Sequence, residues 1–232
     1  MKLIVSACLA LLTVMLHAQR EVNFSETLKS NQDLHLEFKF ANDIKVVHGN
    51  SNELKIEATV NIDDGEGNAA FSLKNKSLGS EMVVKSDFGN YFKTKWNDKN
   101  RNNCNSITEI DYVVYVPKNC DLFIKSISGS VSSDDFKGEL QTDLISGDVT
   151  IKNYEGELYL KTISGALDVT VNKAQLRAKS LTGMIYSDID FKTDTSRKHY
   201  NNSHNRIEKQ INGGTKALKM ETISGNIYIR KG

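Results

Sequence analysis

Charge of one sign is what this chain most lacks. Its 30 Lys and Arg stand against 29 Asp and Glu, and no basic run gathers in one segment. That balance excludes a general attraction to nucleic acid or to an anionic membrane. Long apolar runs are scarce too. The one candidate is Leu3–Leu16, which follows Lys2 and leads to the small residue Ala18 before Gln19. It reads as a secretory leader over 1–18, cleaved after Ala18 and too short to span a bilayer. Cys8 follows Val5-Ser6-Ala7 as in a lipoprotein box, but the apolar segment continues past it, so it belongs to the leader core. Loss of Lys2 takes the formal charge from +1 to 0, and no later run suits a transmembrane segment in the mature chain, 19–232.

Proline, cysteine and helical periodicity are equally sparse. The only proline, Pro117, ends a strand-like run. Cys104 and Cys120 survive leader removal into an oxidising compartment. The apolar strand 107–116 separates them by roughly 30 Å if extended. Pairing therefore requires the Cys104 loop to fold back along that strand, and the sequence leaves it open.

What is present is a repeat. Ser-Ile-Ser-Gly129, Leu-Ile-Ser-Gly147, Thr-Ile-Ser-Gly165, Ser-Leu-Thr-Gly183 and Thr-Ile-Ser-Gly225 share one phrase, and the first four glycines are 18 residues apart. A fixed period near 20 marks stacked units that bury their apolar faces only against neighbours. Seven residues before each glycine stands Leu122, Leu140, Leu158, Leu176 or Leu218. Two before it is Ile127, Ile145, Ile163, Leu181 or Ile223, and two after it Val131, Val149, Leu167, Ile185 or Ile227. Apolar and polar residues alternate around these positions, the period of strands. The pattern predicts an all-β, parallel β-helix-like solenoid of 18-residue coils over 117–232, with leucines, isoleucines and valines stacked inside. The glycines turn the corners, and the hydroxyls of Ser128, Ser146, Ser164, Thr182 and Ser224 form a polar ladder there.

Gly183 and Gly225 are 42 residues apart, so a polar stretch at about 192–215 is an inserted surface loop. His199, His204 and Asp194 lie in it, and a solvated loop accounts for them better than a metal site. Upstream, over 30–116, strands are less regular: 34–40, 44–46, 54–60, 71–73, 82–84 and 110–116. The acidic segment 63–68 reads as a hairpin turn, since it lacks the ligand spacing of a calcium loop.

Tyr112-Val-Val-Tyr-Val-Pro117, then Leu122–Gly129 and the repeated Ile-Ser-Gly-x-Val, resemble the bacterial putative-adhesin domain family. That resemblance implies an exported β-solenoid protein in a periplasmic, cell-surface or secreted setting, with no functional residue carried over. Parallel β-helices also serve carbohydrate-cleaving enzymes, which set acids together on neighbouring coils. Neither the column Ser130, Asp148, Ala166, Met184, Asn226 nor the column Lys125, Asp143, Lys161, Lys179, Glu221 stacks acids on consecutive repeats. The reading is therefore a non-enzymatic protein with no catalytic, metal or cofactor residues, which binds a protein or glycan of the envelope or a host surface. Ser132, Thr150, Asp168, Tyr186 and Tyr228 point outward, and Tyr186 with Tyr228 form the candidate partner-binding pair, the alternative being a cross-strand aromatic pair that stiffens the final coils. A structural role, with the last coil pairing to another chain at an open edge guarded by Arg230 and Lys231, is the third reading.

Overall fold

The structure, a computed structural model, describes residues 19–29, 32–49, 51–97, 106–190 and 205–232. The leader, Cys104, and the 191–204 part of the expected loop, with Asp194, His199 and His204, lie outside those residues. The described chain is all-β, in two nine-stranded mixed sheets, neither of them closed.

The first half contributes β1 (Arg20–Thr27), β2 (Asp33–Phe38), β3 (Asp43–His48), β4 (Glu53–Ile62), β5 (Ser72–Leu78), β6 (Glu81–Asp87) and β7 (Thr108–Val116). β1 lies ahead of residue 30, where the strand pattern becomes visible; its side chains are mostly exposed, so burial leaves little alternation to read. In the first sheet β1, β4 and β7 run antiparallel to their neighbours, and β7 then pairs in parallel with β3. In the second, the β5–β6 hairpin leads into parallel β2. One short helix, α1 (Tyr91–Asn97), departs from the helix-free reading. Its Phe92 joins Phe40 and Phe88 in a cluster with ring centroids 5.3–5.4 Å apart. Packing against that cluster holds a segment too short to be helical alone.

The repeats supply five rungs, each giving one strand to either sheet. These are β8 (Leu122–Ser128) with β9 (Ser130–Ser133), β10 (Phe136–Ser146) with β11 (Val149–Ile151), and β12 (Tyr154–Ser164) with β13 (Leu167–Val171). β14 (Ala174–Ser180) with β15 (Ile185–Ser187) follows, then an extra strand β16 (Arg206–Ile211), then β17 (Ala217–Ser224) with β18 (Ile227–Lys231). Successive rungs pair in parallel at the repeat register, Leu122 with Leu140 and Leu140 with Leu158. β16 corrects the loop reading: residues 206–211 form a strand antiparallel to β14 and become the edge of the second sheet.

The stacking order also departs from chain order. β17 lies between β12 and β14, and β18 between β13 and β15, so the last repeat is inserted between the third and the fourth. Arg230 and Lys231 consequently belong to an interior strand, and the edges at this end are β15 and β16. The outward column beside the corner gives a physical reason. In chain order Lys161 would neighbour Lys179. In the observed order the column reads Lys125, Asp143, Lys161, Glu221, Lys179, alternating in sign at every step. Opposite charges on adjacent strands contribute a few tenths to about 1 kcal/mol each, and like charges cost a similar amount.

Leu122, Leu140, Leu158, Leu176 and Leu218 are buried, and Val131, Val149, Leu167 and Ile227 pack beside them with Ile185 half-buried. The column two before each glycine is the opposite of the expectation. Ile127, Ile145, Ile163, Ile223 and Leu181 are 41–61% exposed. Period two explains it: Leu122 and Ile127 are five residues apart, an odd number, so a continuous strand sends them to opposite faces.

The polar ladder stands two residues earlier than expected, on the same face but inside the strand rather than at its end. Ser128 is half-buried and Ser146, Ser164, Thr182 and Ser224 are exposed. The buried hydroxyls stand three before the glycine: Thr162 Oγ1 donates to Gly147 O at 3.1 Å, Thr222 Oγ1 to Gly165 O at 3.2 Å and Ser180 Oγ to Gly225 O at 2.8 Å. These bonds satisfy carbonyls at the corner, where each glycine backbone lies directly on the next.

Candidate binding face

Ser132, Thr150, Asp168, Tyr228 and Tyr186 form one column across the outer face of the first sheet, in register, and none is buried. Parallel pairing of β18 with β15 sets Tyr228 directly beside Tyr186. Their rings stack with centroids 5.2 Å apart and planes 11° from parallel, and Tyr186 is 46% exposed. Asp168 and Arg230 fasten the inner ring. Arg230 Nε and Nη2 donate to both Asp168 carboxylate oxygens at 2.6–2.9 Å, while its guanidinium lies 5.7 Å from the Tyr228 centroid. Hydrogen bonding to Asp168 and the attraction of its charge hold the Arg230 pKa above its ordinary value. Asn226 Nδ2 donates to Tyr228 Oη at 3.3 Å, and Tyr186 Oη reaches Met184 Sδ at 3.6 Å. A cleft between 187–190 and 206–209 opens from the residue next to Tyr186. The arrangement is a solvent-facing stacked aromatic pair with a fixed cation and anion at its inner side, suited to contact with a sugar ring or a peptide.

A second feature runs along the outer face of the second sheet. Ile127, Ile145, Ile163, Ile223 and Leu181 stand on consecutive strands, a stripe about 19 Å long at the usual strand spacing. Met184, in the same repeat as Leu181, is exposed as well. Five consecutive exposed aliphatics are unusual on a soluble surface, where apolar residues are normally scattered. The sequence held the signal in the odd spacing from the buried leucines.

The acids considered for enzymatic chemistry are engaged locally. Asp148 Oδ1 accepts the Ala166 N–H at 2.7 Å across the corner, as Asn226 Oδ1 accepts that of Met184 at 3.0 Å. Asp143 pairs with Lys161 at 3.1 Å and Glu221 with Lys219 at 3.3 Å. Among the described residues no three of His, Cys, Asp and Glu gather as a metal site.

Among the described residues the acidic turn carries the most protected ion pair. Asp63, in left-handed backbone at φ 51°, accepts from Tyr91 Oη at 2.6 Å, Ser106 Oγ at 3.1 Å and the Ile107 N–H at 3.0 Å, and pairs with Lys95. Burial works to raise its pKa, but the bonds from Lys95, Tyr91, Ile107 and Ser106 outweigh burial and hold it at about 2. This cluster ties α1 to the turn and to the segment entering β7, a structural role. Cys120 is buried without a disulfide; burial first, then the charges of Asp121 and Asp33, push its thiol up to about 12. Such a thiol is unreactive.

No family model and no curated protein matches the chain. Solved structures do. One described as a putative cell adhesion protein from Clostridium sporogenes is 13% identical, with a TM-score of 0.58 over 92% of this chain and 100% of that one. A putative adhesin from Bacteroides fragilis is 10% identical, with a TM-score of 0.33 over 92% and 97%. Another from Parabacteroides distasonis is 11% identical, with a TM-score of 0.27 over the same shares. The likeness is one of fold. It rests on the Clostridium structure, in keeping with the family resemblance carried by the Ile-Ser-Gly repeats. No helix among the described residues is long and apolar enough to cross a membrane.

Proposed function

We propose that this chain is a non-enzymatic, exported binding protein of the cell envelope or cell surface, adhesin-like in role. On this reading the five rungs form a short solenoid, and the partner is a protein or glycan held on the tyrosine face. The observation that carries the proposal is the stacked Tyr186–Tyr228 pair, solvent-facing and braced by Arg230 and Asp168. The shared fold with a putative cell adhesion protein supports the same role. The leader-like first 18 residues support export.

The test is a Tyr186→Ser, Tyr228→Ser double variant on an array of envelope polysaccharides, host-matrix proteins and peptides. Both side chains stand on an outer face, so the variant should fold as the parent does by circular dichroism. Binding should fall at least tenfold, the loss of about 1.4 kcal/mol or more of stacking. Unchanged binding in the folded variant, with loss instead on altering 19–110, would place the contact at the other end.

A further inference from the structure

We propose that the aliphatic stripe is the seam of a homodimer, in which two copies pack the outer faces of their second sheets together about a two-fold axis lying along the strands. The inference is independent of the tyrosine face, which sits on the other sheet.

Three observations select a second copy as the occupant. An isologous contact needs a self-complementary patch, and a stripe of four isoleucines and a leucine at uniform pitch presents the same surface after rotation. The stripe is bounded rather than open-ended: the strand preceding the first rung places Lys39 next in line after Ile127, since Phe38 pairs with Ser126. The third observation is charge. Beside the stripe, two residues away on the same face, the strands carry Glu37, Lys125, Asp143, Lys161, Glu221 and Lys179 in spatial order.

An axis along the strands reverses this column against its copy, so its position decides which charges meet. An axis passing through a strand sets like against like. Through β12, for example, Lys161 meets Lys161 and Asp143 meets Glu221 of the second copy. Midway between β10 and β12, opposites meet beside the stripe: Asp143 with Lys161, Lys125 with Glu221, and Glu37 with Lys179, while Lys85 and Arg206, which continue the column at either end, face each other at the margin. The same register lays Ile127 on Ile223, Ile145 on Ile163, and Leu181 along the aliphatic stem of Lys39 at the end of the seam. It also brings Glu139 opposite Glu157, but three columns from the stripe, at the solvent margin of the face. A lipid surface would call for one sign of charge beside the stripe, whereas a column of mixed sign, besides pairing between its own strands, complements its own reversed copy. The resulting dimer would present two tyrosine pairs, turning a weak contact into a bivalent one.

Engineered cysteines read the register directly. In one chain, positions 127 and 223 are three strands apart, about 14 Å, beyond the roughly 7 Å a disulfide allows. The Ile127→Cys, Ile223→Cys double variant should therefore cross-link between copies under mild oxidation, while each single variant should not. The parent protein should sediment as a dimer. Ile163→Lys, a change at an exposed position, should sediment as a monomer with a melting temperature near that of the Ile163→Ser variant. A parent that is monomeric, whatever else its stripe binds, overturns the proposal. So does cross-linking of Ile163→Cys to itself, or of an Ile145→Cys, Leu181→Cys pair in place of the 127–223 pair.

Discussion

Replacing Gly147 by alanine tests how closely the rungs lie upon one another. Gly147 adopts φ +143°, in the region that favours glycine, and an ideal Cβ there would stand 2.6 Å from the Gly129 carbonyl carbon and nearer still to its oxygen. Ordinary contact begins near 3.4 Å, so β10 and β8 must part locally by most of an ångström. The backbone conformation alone costs an L-residue about 1–2 kcal/mol. Movement also strains the Gly147 N–H bond to Ser164 O at 3.0 Å and the Thr162 hydroxyl bond to Gly147 O, each contributing about 1 kcal/mol. Together the loss is about 3–5 kcal/mol, a large share of a domain's ~5–15 kcal/mol. For a chain of this size that lowers the melting temperature by on the order of 10 °C. Gly79→Ala is the control: its φ of +64° is also left-handed, but nothing lies within 4 Å of the added carbon. It should cost only about 1 kcal/mol, the conformational part. Denaturant titration of both variants by circular dichroism separates the two effects. Equal losses would refute the stacked-glycine corner.

Two further predictions concern titration and reactivity. Asp63 is held at about 2 in the folded chain against about 3.9 unfolded, so the unfolded state binds the extra proton first. Its contribution of about 2 kcal/mol is present above pH 4 and fades as the pH falls through 4 toward 2. Asp63→Asn should therefore be less stable at pH 7 and show a shallower acid limb between pH 4 and 2, and parallel acid limbs would contradict the cluster described. Cys120, buried with its thiol pushed up to about 12, should resist iodoacetamide in native protein at pH 8 and label fully in urea. Peptide mass spectrometry follows it separately from Cys104, and rapid native labelling would mean that the Pro117–Asp121 turn opens.

Much of this architecture is written in residue spacing. The 18-residue period and its fixed leucines set strand type, register and the glycine corner, because parallel strands of equal length bring equivalent positions side by side. Parity was legible as well. The odd interval from Leu122 to Ile127 already sends the second residue outward, although its aliphatic character suggests the core. Tyr186 and Tyr228 likewise fall on the outer face by counting from the glycines alone. Less was legible in the first half. There β1 carries little burial contrast and α1 is helical through contacts with Phe40 and Phe88 on other segments.

Which rung lies on which was a decision of the tertiary structure. Every repeat carries the same glycine contact and the same leucine, so the local pattern accepts either neighbour. The choice falls to groups distant in sequence: Glu221 coming between Lys161 and Lys179, Arg230 reaching Asp168, and β16 covering the side of β14 that faces away from the core of the stack. Sequence alone determined what a rung is, because that depends on alternation within one strand. The order of the rungs needed the fold, because it depends on charges and edges that meet only once the chain has closed on itself.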